Sequence, residues 1–410
     1  MTSNNSTPFF LSKESLGVDL DQTFGTLEKN ITADIAVVGG GITGVLISYF
    51  LAEAGIKTVL LEGQIIGKAA TGRNTGFILT GTVEHYSRVK ELLGKEKAKR
   101  LWNLTQENHE VLFDIISNEK IACEYRKNGS LILGVSEQEG KELKATYTEL
   151  VSDGFHVDYL DEVACREHLN SNQFNGAIRM RNDGEIQPVK FVRDLANILK
   201  NNGMPVFEKT MVNHISTDET SDSVQIETDK GTVSCAMAIL ATNAYSAKLQ
   251  SRLKDKIVPV KGQGFVTDPF SEKLFEEVIY ANFGYEYWRQ LQDGRFMVGG
   301  FRENAQNSEE NDSENVDLEL LQGLYDYFTS LFPQAKSVNI SHAWAGTMGF
   351  SQDGLPLLGA VPGSSNVFVC GGYTGHGLGF AGSLGKMAAE MMIEGKTPNS
   401  DLFYTQRFAA

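Results

Sequence analysis

The sequence predicts an α/β protein, a doubly wound parallel sheet with a second lobe interleaved along the chain. Three observations predict it. Residues 33–62 read as strand, glycine-rich turn, helix and strand, ending on an acidic side chain. After a helical excursion over residues 86–116, buried strands and helices alternate again, as a doubly wound sheet requires. The last apolar run, residues 367–371, leads through a second glycine-rich turn into a helix, which returns the chain to its first domain.

Each element carries its own signature. Ala33 to Val38 reads as a buried strand, and Ile42 to Ala54 as a helix with one apolar face, stopped by Gly55. Lys57 to Leu61 is a second buried run ending in Glu62, which completes a strand, helix, strand unit. Apolar residues from Tyr86 to Ile116 fall at three- and four-residue spacing and predict a helical cap. A strand is expected at Ser130 to Val135 and a helix at Lys141 to Asp153. Asp183-Gly184 signals a turn, Pro188 opens a helix to about Lys200, and Pro205 to Ile215 reads as one strand. Further strands follow at Val224 to Thr228, Ala236 to Leu240, Lys256 to Thr267, Val278 to Tyr280, Phe296 to Gly300 and Val367 to Gly371. The acidic, Asn-rich stretch Glu303 to Asn315 reads as a surface loop, and Leu378 to Glu394 as the closing helix.

Composition excludes several classes of function. The 410 residues are 41% apolar and 22% charged, so a sizeable core is available. Acidic residues outnumber basic ones, 52 to 37, and no Lys/Arg run interleaved with aromatics occurs, which argues against nucleic acid as a partner. Cys123, Cys165, Cys235 and Cys370 are far apart and form no CxxC pair, so neither zinc nor a disulfide framework is expected. The first 32 residues lack a basic and apolar signal, and no apolar stretch approaches the roughly 18 residues that span a bilayer. A cytoplasmic protein with no membrane span is expected.

Gly39, Gly41 and Gly44 form a GxGxxG between strand and helix, the arrangement that cradles a dinucleotide. The first glycine permits the tight turn, the second admits the pyrophosphate, and the third lets helix pack on strand. Ile42 and Thr43 begin the helix whose N-terminus faces the anion. Glu62, followed by Gly63, stands 18 residues beyond Gly44, where a carboxylate accepts hydrogen bonds from the adenosine ribose and repels a 2′-phosphate. Two further segments separate FAD from NAD. Thr71-Gly72-Arg73-Asn74-Thr75-Gly76 follows the second strand closely enough to continue along a longer cofactor. Gly371 to Gly379, including Gly375, His376, Gly377, Leu378 and Gly379, is a turn of amides entering a helix N-terminus, suited to the charge of a reduced flavin's pyrimidine edge.

At these residues the sequence resembles the D-amino acid oxidase-like superfamily of flavoproteins, from Ala33 to Gly395, in the branch of glycine oxidase, monomeric sarcosine oxidase and gamma-glutamylputrescine oxidase. The resemblance rests on the unit ending in Glu62, on Thr71 to Gly76, Pro259 to Gln263, Trp344-Ala345-Gly346, Asp353 to Gly359 and Gly375-His376-Gly377. It implies a Rossmann-like FAD-binding domain from residues 33–85, 155–255 and 340–410, and an α+β substrate domain with a mostly antiparallel sheet from 86–154 and 256–339. Residues 1–32 are an N-terminal extension. It also implies that Val212, in a strand Phe207 to Ile215, meets the adenine, and that Ala241, Thr242, Asn243 and Ala244 line the nucleotide. Gly346 and Met348 stand where family members carry a flavin-linking cysteine and a carboxylate-gripping arginine, and Gly379 where sarcosine oxidases carry a lysine. FAD is therefore expected to be non-covalent, and an amine is favoured over a simple α-amino acid.

The implied reaction moves a hydride from the carbon beside nitrogen to flavin N5, giving an imine. The electrons then pass to oxygen, which is released as peroxide, or to a quinone or protein acceptor; a non-catalytic flavin subunit is the third alternative. His376 is expected beside the flavin, touching the substrate or biasing the flavin's charge. Tyr285, Tyr287 and Trp288 are candidate pocket walls, with Tyr287 the candidate catalytic aromatic. Arg73 faces the cofactor or a substrate carboxylate, and Lys261 is a motif residue or a solvated strand-end lysine.

Overall fold

Strand Ile35–Val38 is buried at every residue and lies inside a six-stranded sheet. In this computed structural model, which describes residues 7–18, 20, 24–218, 223–302 and 314–408, the order is Leu357–Ala360, Val367–Gly371, Met237–Leu240, Ile35–Val38, Thr58–Leu61, Val206–Phe207. Neighbours are parallel except Leu357–Ala360, which runs antiparallel to Val367–Gly371. A parallel sheet is covered on both faces, which is why its strands read as unbroken apolar runs.

One face carries helices Ile42–Glu53 and Gly377–Glu394, which cross so closely that a Cβ on Gly385 would lie 2.9 Å from the Leu46 Cβ. Helix Pro188–Asn201 joins the same core through one apolar face. The other face is covered by a four-stranded sheet of Ile31–Thr32, Thr232–Cys235, Ser223–Thr228 and Val212–Asp218. The capping stretch is helical as expected, but Gly94, with φ 83°, splits it into Tyr86–Leu93 and Lys95–Asn118. Fully buried Asn108 on the second of these donates to Leu378 O (2.9 Å) and accepts from Gly382 N (2.7 Å), tying the cap to the start of helix Gly377–Glu394.

The second lobe is an eight-stranded sheet, antiparallel throughout except where Val278–Ala281 meets Ser130–Leu133. Its core is an aromatic cluster around Trp288, Phe296, Phe328 and Phe332. Asp158–Leu160 and Ala177–Met180 lie at one edge of this sheet and Ile340–Ser351 at the other, although all three fall in stretches the sequence reading assigned to the first domain. Ile340–Ser351, Glu286–Gln290 and helix Leu318–Leu331 are elements the apolar pattern did not signal. Most of residues 303–315, expected as a loop, lies outside the described residues.

Pro205 to Ile215 is not one strand. Val206–Phe207 ends the parallel sheet, Lys209 turns with φ 48°, and Val212–Asp218 starts in a different sheet. Glu208 at the break is 0% exposed and anchors three partners: Phe24 N (3.2 Å), Ile66 N (2.6 Å) and Arg193 Nη1 (2.9 Å). The N-terminal extension is also tied down. Phe9, Phe10 and Leu11 are buried against Val189, Met297 and Trp344, between the lobes, and Gln187 Nε2 donates to Phe10 O (3.0 Å). Glu208→Ala removes the acceptor of two buried amides and one partner of the Arg193 guanidinium, a loss of about 3–5 kcal/mol. We expect Tm to fall by roughly 3–6 °C in a calorimetric scan, and an unchanged Tm would show the carboxylate to be dispensable.

Candidate functional site

The glycine-rich turns singled out in the sequence face one cavity of about 470 Å³ between the two lobes. Gly39 follows its strand with φ 110°, and a Cβ there would sit 2.7 Å from Ala241 O. A Cβ on Gly44 would sit 1.8 Å from Gly39 O, so the helix meets the turn at a distance only glycine allows. Gly41 N-caps helix Ile42–Glu53 without a side-chain cap, and Ile42 N donates to Thr71 Oγ1 (3.0 Å). Glu62 accepts from Gly40 N and Gln64 N, both at 2.7 Å. Burial pushes its carboxyl upward, and those two amides oppose the shift. Gly39, Gly41, Ile42, Thr43, Glu62 and Gly63 line the cavity, while Gly44 acts from behind the wall.

Thr71, Arg73, Asn74 and Thr75 line it too; Gly72 and Gly76 do not. Their hydrogens face backbone, since Cβ atoms would lie 2.6 Å from Gly67 O and 2.2 Å from Ile186 O. Asn74 holds the turn by accepting from Gly76 N (2.8 Å) and donating to Ala70 O and Thr71 O (3.1 Å each). Arg73 lies across Gly346 and pairs within the protein, with Glu314 Oε2 at 2.6 Å and with Lys68 O. Trp344 Nε1 donates to Arg73 O (2.9 Å).

The second turn sits opposite the first, and the two are joined by Thr43 Oγ1 and Tyr373 OH at 2.8 Å. Val212, Ala241, Thr242 and Asn243 line the wall between, and Asn243 Oδ1 accepts from Gly372 N (2.8 Å). Thr374 and Gly375 take φ 50° and 88°, turning the chain so that His376 N-caps helix Gly377–Glu394 with no side-chain cap. Gly375 to Gly379 and Gly346 all line the cavity. At Gly379 a Cβ would lie 2.7 Å from Leu79 O, so a side chain has no room there.

Beyond His376 the wall is aromatic. Tyr280 and Tyr287 are cross-strand partners, each ring seated over a glycine: a Cβ on Gly284 would fall 1.9 Å from the Tyr280 hydroxyl, and one on Gly299 2.3 Å from Tyr287 Cε2. Tyr280 stands edge-on to His376, ring centres 5.5 Å apart. Burial pushes both phenols upward, and the nearby Arg302 charge opposes it. Burial also pushes the His376 imidazole down to about 4, and its Nδ1 has no hydrogen-bond partner among the described residues. Trp288 points from the opposite face of its strand into the aromatic core, so it is no pocket wall. Lys261 also stays off the cavity, whereas Gly262 and Gln263 line it. Tyr280, Arg302, Thr347 and Tyr373 line it as well and were not singled out in the sequence. For Tyr280 the signal was present: strand alternation across a hairpin puts it on the face of Tyr287.

Glycine turns at the ends of parallel strands, two uncapped helix N-termini and one cleft beneath a second lobe define a dinucleotide-binding α/β protein. The sequence pattern of the "FAD dependent oxidoreductase" (DAO) family matches residues 34–391, and the chain belongs to that family; it is an FAD-dependent oxidoreductase. It is 29% identical over 389 residues to gamma-glutamylputrescine oxidoreductase of Escherichia coli (strain K12), covering 93% of this chain and 88% of that one. It is 26% identical over 371 residues to glycine oxidase of Bacillus licheniformis, covering 88% and 93%. Its fold is that of glycine oxidase from Geobacillus kaustophilus (TM-score 0.81, 21% identity, 92% and 100% covered) and of L-proline dehydrogenase from P. horikoshii (TM-score 0.81, 22% identity, 92% and 98% covered). The residues present fit FAD: the glycine clefts admit a backbone-close ligand, and the buried Thr347 Oγ1 and His376 Nδ1 have polar capacity to spare. Among the described residues no His/Cys/Asp/Glu cluster could hold a metal, and no helix is long and apolar enough to cross a membrane.

Two predictions follow from this geometry. Gly44→Ala should lower the flavin-to-protein absorbance ratio severely, with stability falling by about 3 kcal/mol or more; Gly55→Ala, in open space at φ 75°, should keep its flavin. Equal flavin content in the two would refute the close-approach argument. His376 and His85 both have folded pKa values near 4, lowered by burial from 6.5. The unfolded chain therefore binds their protons first, so their contribution to stability is full above about pH 6.5 and falls as the pH drops toward 4. Urea titrations of wild type and His376→Asn should show this residue's share, on the order of 2–3 kcal/mol between pH 7 and 4, missing from the variant.

Proposed function

We propose that the protein holds FAD non-covalently along the cavity and oxidises a C–N bond of a small amine or amino acid to an imine. The observation that carries this reading is the cleft itself, continuous from Glu62 and Val212 to the His376, Tyr280 and Tyr287 end. In this reading Glu62 takes the ribose, the amides at Gly41 and Ile42 take the pyrophosphate, and Thr71 to Thr75 follow the cofactor onward. Gly375 to Gly379 present the open N-terminus of helix Gly377–Glu394, whose dipole favours negative charge. The four cysteines are buried thiols and none lines the cavity, which supports a non-covalent cofactor. FAD, once bound, supplies a two-electron acceptor.

The chain's own residues prepare the substrate. A largely apolar end walled by Tyr280, Tyr287, Phe77 and Leu79 disfavours the ammonium form by desolvation and so favours the neutral amine. His376, neutral over the physiological range, offers a fixed polar nitrogen there instead of a charge. The electrons pass to oxygen in this reading, as the name of the glycine oxidase relative suggests, and peroxide is the product.

An absorption spectrum before and after acid precipitation tests the cofactor: a band near roughly 450 nm should stay in the supernatant. Anaerobic addition of a panel of amines and amino acids should then bleach the band. Peroxide on readmission of air identifies an oxidase, and bleaching without peroxide assigns the electrons to another acceptor. A colourless protein would sink the reading.

A further inference from the structure

Behind the wall formed by His376 and Tyr280 lies a second, smaller cavity of about 30 Å³, between the helical cap and the eight-stranded sheet. His376 and Tyr280 line both cavities and so form the partition between them. The space suffices for one water, which needs roughly 10–15 Å³, and the lining is polar enough to hold it. Asp183, a turn residue by its sequence signal, reaches this chamber with 1% exposure. Its carboxylate accepts from Thr80 N (3.1 Å), Thr80 Oγ1 (2.6 Å) and Ser130 Oγ (2.7 Å), and His109 Nε2 stands 3.2 Å away. Among the described residues His109 Nδ1 and the chamber-wall nitrogen Trp102 Nε1 have no hydrogen-bond partner. A buried Asp–His pair with a neutral imidazole carries one net negative charge, and a proton taken onto it leaves an internally neutral ion pair, the better-satisfied state in a dry interior. The other titratable groups on the chamber are Glu84, His85, Tyr86, Tyr280 and His376. Burial holds the two histidines down to about 4, with the Arg302 charge adding to it at His376, and pushes the two phenols upward. Glu84 is exposed to solvent. The Asp183–His109 pair is therefore the buried group on this side of the partition with room for a proton.

Resting on the function proposed above, we infer that the chamber holds a water through which the substrate ammonium passes its proton to the Asp183–His109 pair, with His376 as the relay across the partition. The apolar end of the cleft gives the ammonium reason to lose a proton, and the pair gives that proton a place. One N–H bond of the ammonium breaks; a proton enters the imidazole from the cleft while another leaves it for the chamber water, so the ring stays neutral. The C–H bond beside nitrogen then breaks, its hydrogen and electron pair pass to FAD as a hydride, C=N forms, and a protonated imine remains. When oxygen takes the two electrons and that hydrogen, the stored proton returns by the same path as the second hydrogen of the peroxide. The return also restores the His376 tautomer for the next cycle.

The test compares the flavin-loaded wild type with Asp183→Asn and His109→Gln, each checked for flavin content and Tm. The flavin is reduced anaerobically with the fastest of methylamine, butylamine, pyrrolidine, glycine and L-proline, in weak buffer with phenol red, which counts the protons released per flavin. Wild type should keep its proton, and both variants should release one for each flavin reduced. At pH 7 reduction should slow by about 100-fold in both variants, and it should recover as the pH rises toward about 10, where alkylamines arrive already neutral. A purely structural role for the pair would slow the variants alike at every pH. A crystal structure of the flavin-loaded wild type should place a water in the chamber within hydrogen-bond reach of His376 and Asp183. A proton released by wild type, a dry chamber, or variants that match wild type or lag it equally at every pH overturns the relay and leaves the proposed function standing. The proton count on wild type decides the matter even where neither variant folds. A wild type without flavin, or flavin that none of these amines bleaches, overturns both.

Discussion

The paired strands Ile257–Thr267 and Ile340–Ser351 are the constraint on which the cleft depends. They run in register from Ile257 opposite Ser351 to Val266 opposite His342, with a one-residue shift before Thr267 meets Ile340, and the second leads on to the Leu357–Ala360 edge of the parallel sheet. Gly262, Gln263, Thr347 and Met348, which face the cavity, are all carried by this ladder. An antiparallel ladder of that length is stiff against sliding, because a one-residue slip would turn every side chain to the wrong face. The ladder is an edge of the second lobe's sheet, and Thr374 N, donating to Gly349 O (2.9 Å), ties it to the glycine turn of the first lobe.

Within that frame, glycine decides where a ligand can lie. The first turn, the Thr71 to Gly76 segment and the Gly371 to Gly379 turn all hold positions where a Cβ would meet backbone within 3 Å. Glycine also sets the aromatic end, for the Tyr280 and Tyr287 rings rest on Gly284 and Gly299. The shape of the cavity's aromatic end is thus fixed by missing side chains as much as by present ones. Its electrostatics are equally sparse, with a neutral histidine and one guanidinium flanked by rings.

Much of this was legible in the sequence. The unit ending in Glu62 and the two glycine segments carry their signal in a few adjacent residues, because tight turns favour glycine where φ is positive. Strands buried on both faces announce themselves by composition. Ile340–Ser351 did not, since its Gly346 and Gly349 and its polar Ser and Thr residues mask the pattern, and its partner is distant in sequence. The break at Glu208 was hidden for a similar reason: a buried carboxylate is explained only by Phe24, Ile66 and Arg193, none of them local. Tyr285, Tyr287 and Trp288 read alike as aromatics, and only their hairpin sets Trp288 apart. Arg302 stood out least, because a lone arginine after a strand has no local signature of its place on the cavity wall.

The seat of Phe9, Phe10 and Leu11 has a consequence for how the molecule is made. These residues pack on Val189, Met297 and Trp344, so during synthesis they wait exposed while more than three hundred further residues emerge. The parallel sheet imposes the same delay, since Ile35–Val38 borders Met237–Leu240, which in turn borders Val367–Gly371. Contacts of such long range form slowly and leave apolar surface open meanwhile. The cleft is therefore completed only at the end of folding, and production at low temperature or slow translation should favour soluble, flavin-loaded protein over aggregate.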